Sequence, residues 1–294
     1  MAVVLSACLG FRSMRLVCLP RARRWTTLLL SVLMLGNINT VRADDIVTNS
    51  IGMMFMRIEG GTFLMGAPAD DLKADEDERP QHSVTIEQAF FMGQHEVTQQ
   101  QYQRVMGENP SWFRRGGGGH EQVKSIDTTR LPVDMVSWYD AVQFCEQLGK
   151  LTEETKAKRR YRLPTESEWE FACRAGTKTR FACGDKLTAE RANVRFDRGG
   201  VRHTLPIGSF APNAWGLFDM HGNVWEWCAD EYRYQAYQSS IKQQVPPADA
   251  SAPKVIRGGD WQSSATSARS ANRDFTRATR RDLGNGFRVV LESR

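Results

Sequence analysis

Three stretches of the chain combine a helix-capping signal with apolar residues at helical spacing. In each, a Ser or Thr stands three residues before an acid or amide, at 98–101, 137–140 and 165–168. The apolar residues that follow recur at intervals of three and four, which predicts amphipathic helices that each bury one face. The predicted inner faces comprise Tyr102, Val105 and Met106; Ala141, Phe144, Cys145 and Leu148; and Trp169, Ala172 and Cys173.

Short apolar runs elsewhere predict strands joined by long connections. Residues 53–67 surround a Gly-Gly pair and are predicted as two strands of one hairpin, and residues 83–92 as a further strand. Residues 114–130, which contain four consecutive glycines, and residues 231–254 are predicted as flexible loops. Because periodicity is weak after the third helix and no second domain boundary is visible, the pattern predicts one domain that is rich in loops.

The first 43 residues have the pattern of a secretory signal peptide. A basic lead precedes a short apolar run at 25–36, and cleavage is predicted after Ala43. This run is shorter than the roughly 20 residues that a membrane-spanning helix needs. Either Met1 or Met14 serves as the start, and general secretory and twin-arginine export both stay open. The mature protein is predicted to be periplasmic.

The mature chain is predicted to consist of a short linker, 44–50, and one domain, 51–292. The leader carries six arginines and no acidic residue, so 33 basic and 34 acidic residues remain. A near-neutral surface lacks the positive patch that nucleic-acid binding needs, so no nucleic-acid partner is expected. No run after the leader is apolar enough to span a membrane.

Four cysteines remain after the leader: Cys145, Cys173, Cys183 and Cys228. An exported protein can form disulfides, and four cysteines allow three complete pairings, so structural disulfides and buried thiols both stay open. The absence of a C-x-x-C sequence argues against a zinc knuckle or a thioredoxin-type site.

Eight motifs follow one another along the mature chain. From about Ile51 to Val290 they closely resemble the formylglycine-generating enzyme family, also called the sulfatase-modifying factor family. The resemblance implies an α+β fold: a single mixed domain with little regular secondary structure, similar to that of C-type lectins. The motifs are GGTFLMG (60–66), EVTQQQY (96–102), NPSWF (109–113), LPVDMVSWYDAVQFC (131–145), YRLPTESEWEFACRAG (161–176), APNAWGLFDMHGNVWEWCAD (211–230), VIRGGDW (255–261) and GFRVV (286–290).

The resemblance implies a structural calcium site in the turn that begins at Asp219. Its ligands would be the Asp219 side chain and the carbonyls of Gly222 and Val224, with Glu226 as a further ligand. Calcium takes six to eight oxygen ligands, many of them backbone carbonyls, and a tight turn can direct several at one point. His221 in the same turn is either a ligand or a hydrogen-bonded structural residue.

The resemblance also implies a second calcium site. Asn193 and the Val194 carbonyl match two of its ligands, whereas Gly199 occupies the place of its acidic ligand and Asp197 lies nearby as a substitute. Trp225 matches a tryptophan of the family's active-site groove.

The catalytic chemistry of the named enzyme is missing from this chain. The enzyme oxidises a cysteine of a client sulfatase to formylglycine with oxygen, using two cysteines that bind copper(I). Soft thiolates select Cu(I), but Ser263 and Ala268 occupy the matching places and residues 229–294 contain no cysteine. Copper is therefore not expected, and the copper-dithiol route is predicted to be absent.

The segment after the RGGDW motif holds the remaining groove candidates, Asp260, Ser263, Arg269 and Arg273, beside Trp225. The two arginines either bind a carboxylate or phosphate or tie the C-terminal loop to the core through ion pairs. The spacing gives no support to a nucleophilic triad of Ser263, His221 and an aspartate, because triads are defined by geometry.

Three functions follow from the resemblance. One is an accessory or regulatory binding protein of the envelope, for example of a kinase-controlled type VI secretion system. Another is an oxidoreductase, without the copper dithiol, that matures a peptide siderophore such as pyoverdine in the periplasm. Formylglycine generation is the third, and the missing cysteines argue against it. The expected partner is a periplasmic or envelope protein, or a peptide-like substrate.

Overall fold

The computed structural model describes residues 45–196, 200–238 and 252–293, which form short strands, short helices and long ordered connections. The predicted signal peptide, Asp197 and Gly199 lie outside the described residues. The strands are β1 (Ile46–Thr48), β2 (Met54–Ile58), β3 (Gly61–Met65), β4 (His82–Ile86), β5 (Phe90–Gly93), β6 (Arg159–Arg162), β7 (Trp225–Glu231), β8 (Pro253–Arg257), β9 (Asp274–Arg277), β10 (Asn285–Gly286) and β11 (Val290–Ser293). The helices are α1 (Gln99–Met106), α2 (His120–Val123), α3 (Trp138–Lys150), α4 (Thr152–Lys156) and α5 (Glu166–Arg174), with 3-10 turns at Glu76–Glu78 and Thr128–Arg130.

The strands of the described residues form three sheets. The largest has the order β1-β2-β5-β11-β6 and is antiparallel throughout. A four-stranded sheet has the order β10-β7-β8-β9, in which β10 runs parallel to β7. Strands β3 and β4 form a separate two-stranded ribbon. This arrangement confirms the predicted mixed α/β fold class.

The three predicted helices begin where their capping boxes place them. Thr98, Ser137 and Thr165 each accept a hydrogen bond from the backbone of the residue three positions on, whose side chain bonds back to the cap. Gly107 ends α1 with φ 79°, in the left-handed region that glycine adopts without strain. The predicted inner faces of α3 and α5 are buried.

The predicted hairpin within residues 53–67 is wrong in its pairing. Both strands exist, but β2 pairs with β1 and β5, whereas β3 pairs with β4. Strand β2 carries buried apolar residues on both faces, with Phe55 in one core and Met56 in the other, so it must lie inside a sheet. Strand β3 is alternately exposed, which suits a peripheral ribbon. The single strand predicted over 83–92 is divided between β4 and β5.

Two apolar cores flank the large sheet. Helices α1 and α3 pack over one face, where Phe144 and Phe287 are fully buried, and α5 packs over the other through Trp169. Strand β11 contributes to both, since Val290 and Leu291 belong to opposite cores. No helix in the described part of the chain meets the length and hydropathy of a membrane span.

The glycine-rich stretch at 114–130 is folded against its surroundings, in contrast to the predicted flexible loop. It contains α2 and a 3-10 turn. A Cβ added to Gly118 would overlap the Trp112 ring, and one added to Gly119 would lie 2.5 Å from Phe113. Glycine is therefore required here for close packing on two aromatic rings.

Candidate functional site: the buried turn and the C-terminal segment

Residues 219–224 form a tight turn that leads into β7. Asp219, Gly222 and Asn223 all have positive φ angles, of 56°, 92° and 70°. A Cβ on Gly222 would overlap the carbonyl oxygen of Asn193, and the Asn223 N–H donates to that oxygen at 2.8 Å. The two stretches expected from sequence to form separate calcium sites, 193–194 and 219–224, are therefore in direct contact.

A cluster of buried carboxylates surrounds this turn. Glu226 accepts hydrogen bonds from Arg288 at 2.5 and 2.6 Å and from the Trp169 indole at 2.7 Å. Glu96 accepts from the Asn223 side-chain amide at 2.9 Å. The Asp219 carboxylate accepts from the Gly208 N–H at 2.7 Å. Glu96 was not expected from sequence, because an acidic residue ahead of a helix cap carries no local signal of burial.

The charges of this cluster do not balance. Three buried carboxylates, on Glu96, Asp219 and Glu226, face the guanidinium of Arg288. Burial, and after it the charges of Asp219 and Glu226, raises the pKa of Glu96 well above its usual range. Burial also raises the pKa of Asp219 to about 6. The turn thus holds more buried carboxyl groups than guanidinium groups, an excess that either protonation or a bound cation would relieve.

The donor set suits a hard cation, since it consists of carboxylate and carbonyl oxygens. No three His, Cys, Asp or Glu side chains converge as a metal site within residues 45–196, 200–238 and 252–293. A calcium ion here would therefore have to draw mainly on backbone carbonyls, as the resemblance implies for Gly222 and Val224. Because Arg288 occupies both oxygens of Glu226, the ligand role of that residue stays a prediction.

The second predicted site shares the same turn. The Asn193 side chain donates to the His203 carbonyl at 3.0 Å and to the Asn223 side chain at 3.2 Å, while Val194 is fully buried. The amide of Asn193 is thus fixed from two sides. Its predicted ligand role, and that of the Val194 carbonyl, stay predictions.

The segment that matches the copper-binding region begins with a turn closed by Asp260 and Ser263 and then packs against the core. Asp260 Oδ1 accepts from the Ser263 N–H at 2.8 Å and from the Ser263 hydroxyl at 2.5 Å. Ala268 is fully buried in an apolar cluster with Phe181 and Val194. Of the two positions that match the cysteines of the named enzyme, one holds a serine whose hydroxyl is hydrogen-bonded to Asp260, and the other holds an alanine buried in the core.

The two groove arginines are structural in this protein. Arg269 forms a bidentate ion pair with Glu78 at 2.6 and 2.7 Å, and Arg273 forms one with Glu166 at 2.6 and 3.0 Å. Both arginines are nearly fully buried, with 2% and 5% of their surface exposed. In this arrangement both guanidinium groups form the ion pairs of the structural alternative, and their place in a ligand-binding groove stays a prediction.

Trp225 and Asp260 are also largely withdrawn from the surface. Trp225 exposes 8% of its area and packs in the core with Trp227, so it offers little of the groove wall expected from the resemblance. Asp260 exposes 6%, and burial raises its pKa.

His221 is a structural residue, and the triad is not formed. Its Nδ1–H donates to the Ala268 carbonyl at 2.8 Å, and its Nε2 accepts from the Ala182 N–H at 2.9 Å. Burial lowers the pKa of His221 to about 4, which keeps the imidazole neutral at pH 7. With both nitrogens engaged, the ring is available neither as a metal ligand nor as a base for Ser263.

The four cysteines among the described residues are free thiols. Cys145, Cys173 and Cys228 are buried, and Cys183 is exposed. Burial raises the pKa of Cys173 to about 12, and it raises the pKa of Cys228 well above its usual range. A buried thiol of this kind supplies little thiolate, so it is a poor nucleophile and metal ligand.

Comparison with known proteins agrees with this fold. The family model described as "Sulfatase-modifying factor enzyme 1-like domain" matches residues 46–293. The chain is similar to the serine/threonine-protein kinase pkn1 of Chlamydia pneumoniae, with 32% identity over 252 residues, covering 79% of this chain and 37% of the kinase. It is 28% identical to the formylglycine-generating enzyme of Bos taurus over 256 residues, which cover 69% of this chain and 64% of that enzyme.

A solved structure shows the same architecture. PvdO from Pseudomonas aeruginosa superposes with a TM-score of 0.68 at 28% identity, covering 84% of this chain and 97% of PvdO. By contrast, the chain spans little more than a third of the kinase that it matches. The family match extends over nearly all of the described residues, and the chain therefore belongs to the sulfatase-modifying factor family, the family of the formylglycine-generating enzymes.

Proposed function

We propose that this protein is an exported accessory or regulatory binding protein that uses the sulfatase-modifying factor fold without its copper chemistry. One observation carries the proposal. Residues 229–294 contain no cysteine, and the two matching positions are Ser263, whose hydroxyl is bonded to Asp260, and the buried Ala268. A serine hydroxyl is a hard and weakly acidic ligand, so it cannot replace a thiolate on copper(I).

The setting proposed for this role is the periplasm, after removal of residues 1–43. A kinase-linked envelope system, such as a kinase-controlled type VI secretion system, is the proposed context, and similarity to a protein named as a kinase supports it. The partner would be a periplasmic or envelope protein.

We also propose a structural calcium ion at the 219–224 turn. The excess of buried carboxylate around Asp219 and the left-handed backbone of the turn support it. Its role would be to neutralise the buried carboxylates of the turn and to stabilise the backbone that leads into β7.

One specific observation favours a second function. PvdO matches over almost its whole length, whereas the kinase matches over little more than a third of its own. An oxidoreductase without the copper dithiol, acting in periplasmic maturation of a peptide siderophore such as pyoverdine, is therefore the alternative. It would need a redox cofactor or a reactive substrate, since the described thiols are mostly buried.

Two measurements test the proposal. Incubation of the mature protein with copper(I), oxygen and a sulfatase-derived cysteine peptide should leave the peptide unmodified by mass spectrometry, with an authentic formylglycine-generating enzyme as the positive control. Conversion of the cysteine to formylglycine would contradict the loss of copper chemistry.

The second measurement is crosslinking of the mature protein in the periplasm, followed by analysis of both proteins and small molecules. A single envelope protein in stoichiometric yield, which rebinds when both proteins are purified, supports the accessory role. A co-purifying siderophore precursor without a protein partner favours the oxidoreductase.

A further inference from the structure

A basic pocket lies beside the folded glycine-rich stretch and outside the turn and C-terminal segment described above. Its volume is about 560 Å³. Three cationic side chains line it, those of Arg114, Arg115 and Lys124, against one carboxylate, that of Asp127. The Asp127 carboxylate is already engaged by the N–H and the hydroxyl of Thr129, at 3.1 and 2.6 Å. Lys124 is itself paired with Glu121 at 3.1 Å, so the excess positive charge of the pocket comes from Arg114 and Arg115, which together exceed Asp127 by one charge.

The two arginines of this pocket have few protein partners. Arg114 donates one hydrogen bond, at 3.3 Å, to the Arg115 carbonyl, and its Nε is shut off from water without an acceptor. Neither guanidinium forms an ion pair with another described residue. The charge of Arg114 lowers the pKa of Asp134, but it does so less than the hydrogen bonds from the backbone of Trp112 and Phe113 do, and burial, the main cause, raises that pKa. Arg269 and Arg273, by contrast, are fully paired. Guanidinium groups that line a cavity without an ion-pair partner are typical of oxyanion binding.

The fold holds these groups in position. The Gly117 N–H donates to the Arg114 carbonyl at 3.0 Å, and a Cβ on Gly117 would lie 2.9 Å from the Arg114 side chain. The Trp112 N–H donates to Asp134 at 2.6 Å, which anchors the start of the stretch. The glycines thus fold the chain over the stem of Arg114 and leave its terminal nitrogens as the groups that a ligand can reach.

Other polar groups complete the pocket. The side chains of Gln100 and Gln103 line it from α1, and His120 lines it from α2 with an Nδ1 that is buried without a partner. Amide and imidazole groups add neutral hydrogen bonds to a charged anchor. We infer that this pocket binds an oxyanion group, a carboxylate or a phosphate.

The inference rests on no part of the proposed function, because it holds for an accessory protein and for an enzyme alike. The test is calorimetric titration of the mature protein at physiological ionic strength with three peptides of equal length: one of glutamates, one with phosphoserine in a neutral background, and one of glutamines. Binding of the glutamate peptide assigns carboxylate chemistry, and binding of the phosphoserine peptide alone assigns phosphate. The glutamine peptide should not bind.

Variants locate the binding. Substitution of Arg114→Gln together with Arg115→Gln should lower the affinity for the peptide about tenfold or more, because a hydrogen bond to a charged group contributes roughly 1.5–3 kcal/mol. Arg277→Gln removes the same charge from an exposed position on β9 and should leave affinity within about twofold. If the variant that lacks Arg114 fails to fold, the double variant Arg115→Gln with Lys124→Gln can be tested instead, because both of these side chains are more exposed than Arg114.

Three results would overturn the inference. These are no binding of either charged peptide, equal binding of the glutamine peptide, or unchanged affinity in a folded variant that lacks both arginines.

Discussion

Two buried charge clusters in this protein are built from the same residue types but have opposite balance. Around the C-terminal segment, Glu78 pairs with Arg269, Glu166 with Arg273, and Glu170 with both Arg174 and Arg257. Every one of these carboxylates therefore has at least one guanidinium. Around the 219–224 turn, the carboxylates of Glu96, Asp219 and Glu226 share Arg288.

This difference in charge pairing indicates which cluster a bound cation would stabilise. In the C-terminal cluster each buried carboxylate has a guanidinium partner within the chain, so no further ion is needed to neutralise it. A cluster with an excess of carboxylate must take up protons or bind a cation, because unpaired buried charge is costly. The C-terminal arginines, which the family resemblance places in the groove, thus form structural ion pairs, and the turn is where a cation is proposed to bind.

The largest expected effect comes from breaking the balanced cluster. Arg269→Ala leaves Glu78, which is fully buried, without its bidentate partner and should lower the free energy of unfolding by about 3–5 kcal/mol. Urea unfolding monitored by circular dichroism measures it. Adding Glu78→Gln to this variant removes the stranded charge and should recover part of the loss. A loss below about 1 kcal/mol in the single variant would mean that the pair contributes little.

Calcium should act on the other cluster. If Ca²⁺ binds at the turn, a concentration of about 100 times Kd stabilises the folded state by about 2.7 kcal/mol, which for a domain of this size raises Tm by roughly 5–10 °C. Asp219→Asn should abolish the rise, whereas Glu146→Gln, on the exposed side of α3, should keep it. Equal melting temperatures in EDTA and in excess Ca²⁺ would remove the calcium proposal.

Asp134 is a sharper case of the same imbalance, because it forms no ion pair with any described residue. It is fully buried, and burial raises its pKa to about 7. The unfolded carboxyl ionises near its usual pKa of about 4, so between pH 4 and 7 the folded state holds the extra proton and loses stability as pH rises. Relative to Asp134→Asn, which keeps an acceptor for the Trp112 N–H, the wild type should lose roughly 2 kcal/mol from pH 5 to pH 8.

Urea unfolding at the two pH values measures this difference. Asp70→Asn, at an exposed position, is the matched control and should show no such change. A constant difference between wild type and Asp134→Asn from pH 5 to pH 8 would contradict the assignment of a raised pKa to Asp134.

Sequence predicts the local features of this molecule and misses the long-range ones, for a physical reason. A capping box is a contact over three residues, so the starts of α1, α3 and α5 follow from the residues alone. Strand pairing is not local, and nothing near Gly60 shows that β3 leaves β2 for β4.

In the candidate site, too, local features are visible in the sequence and long-range contacts are not. The turn at Asp219 and the missing cysteines are visible in sequence, whereas the partners of Arg269 and Arg273 lie 191 and 107 residues away. Whether an arginine serves a groove or a core depends on such partners. Glu96 stays hidden likewise, because its neighbour Asn223 lies 127 residues further along the chain.

The smallest loss of stability is expected for an ion pair at the surface. Comparing it with the Arg269→Ala loss tests whether that large loss comes from burial or from charge alone. Arg280 and Asp282 form an ion pair at 2.8 Å, with 61% and 38% of their side-chain surfaces exposed. Water already screens both charges, so Arg280→Ala should change the free energy of unfolding by about 0–1 kcal/mol. Raising the salt concentration should shrink this change further and leave the Arg269→Ala loss almost intact, because salt screens exposed pairs far more than buried ones. If the two arginine variants instead lost similar stability in urea, burial would not be what makes the Arg269–Glu78 pair more costly to break than a surface pair.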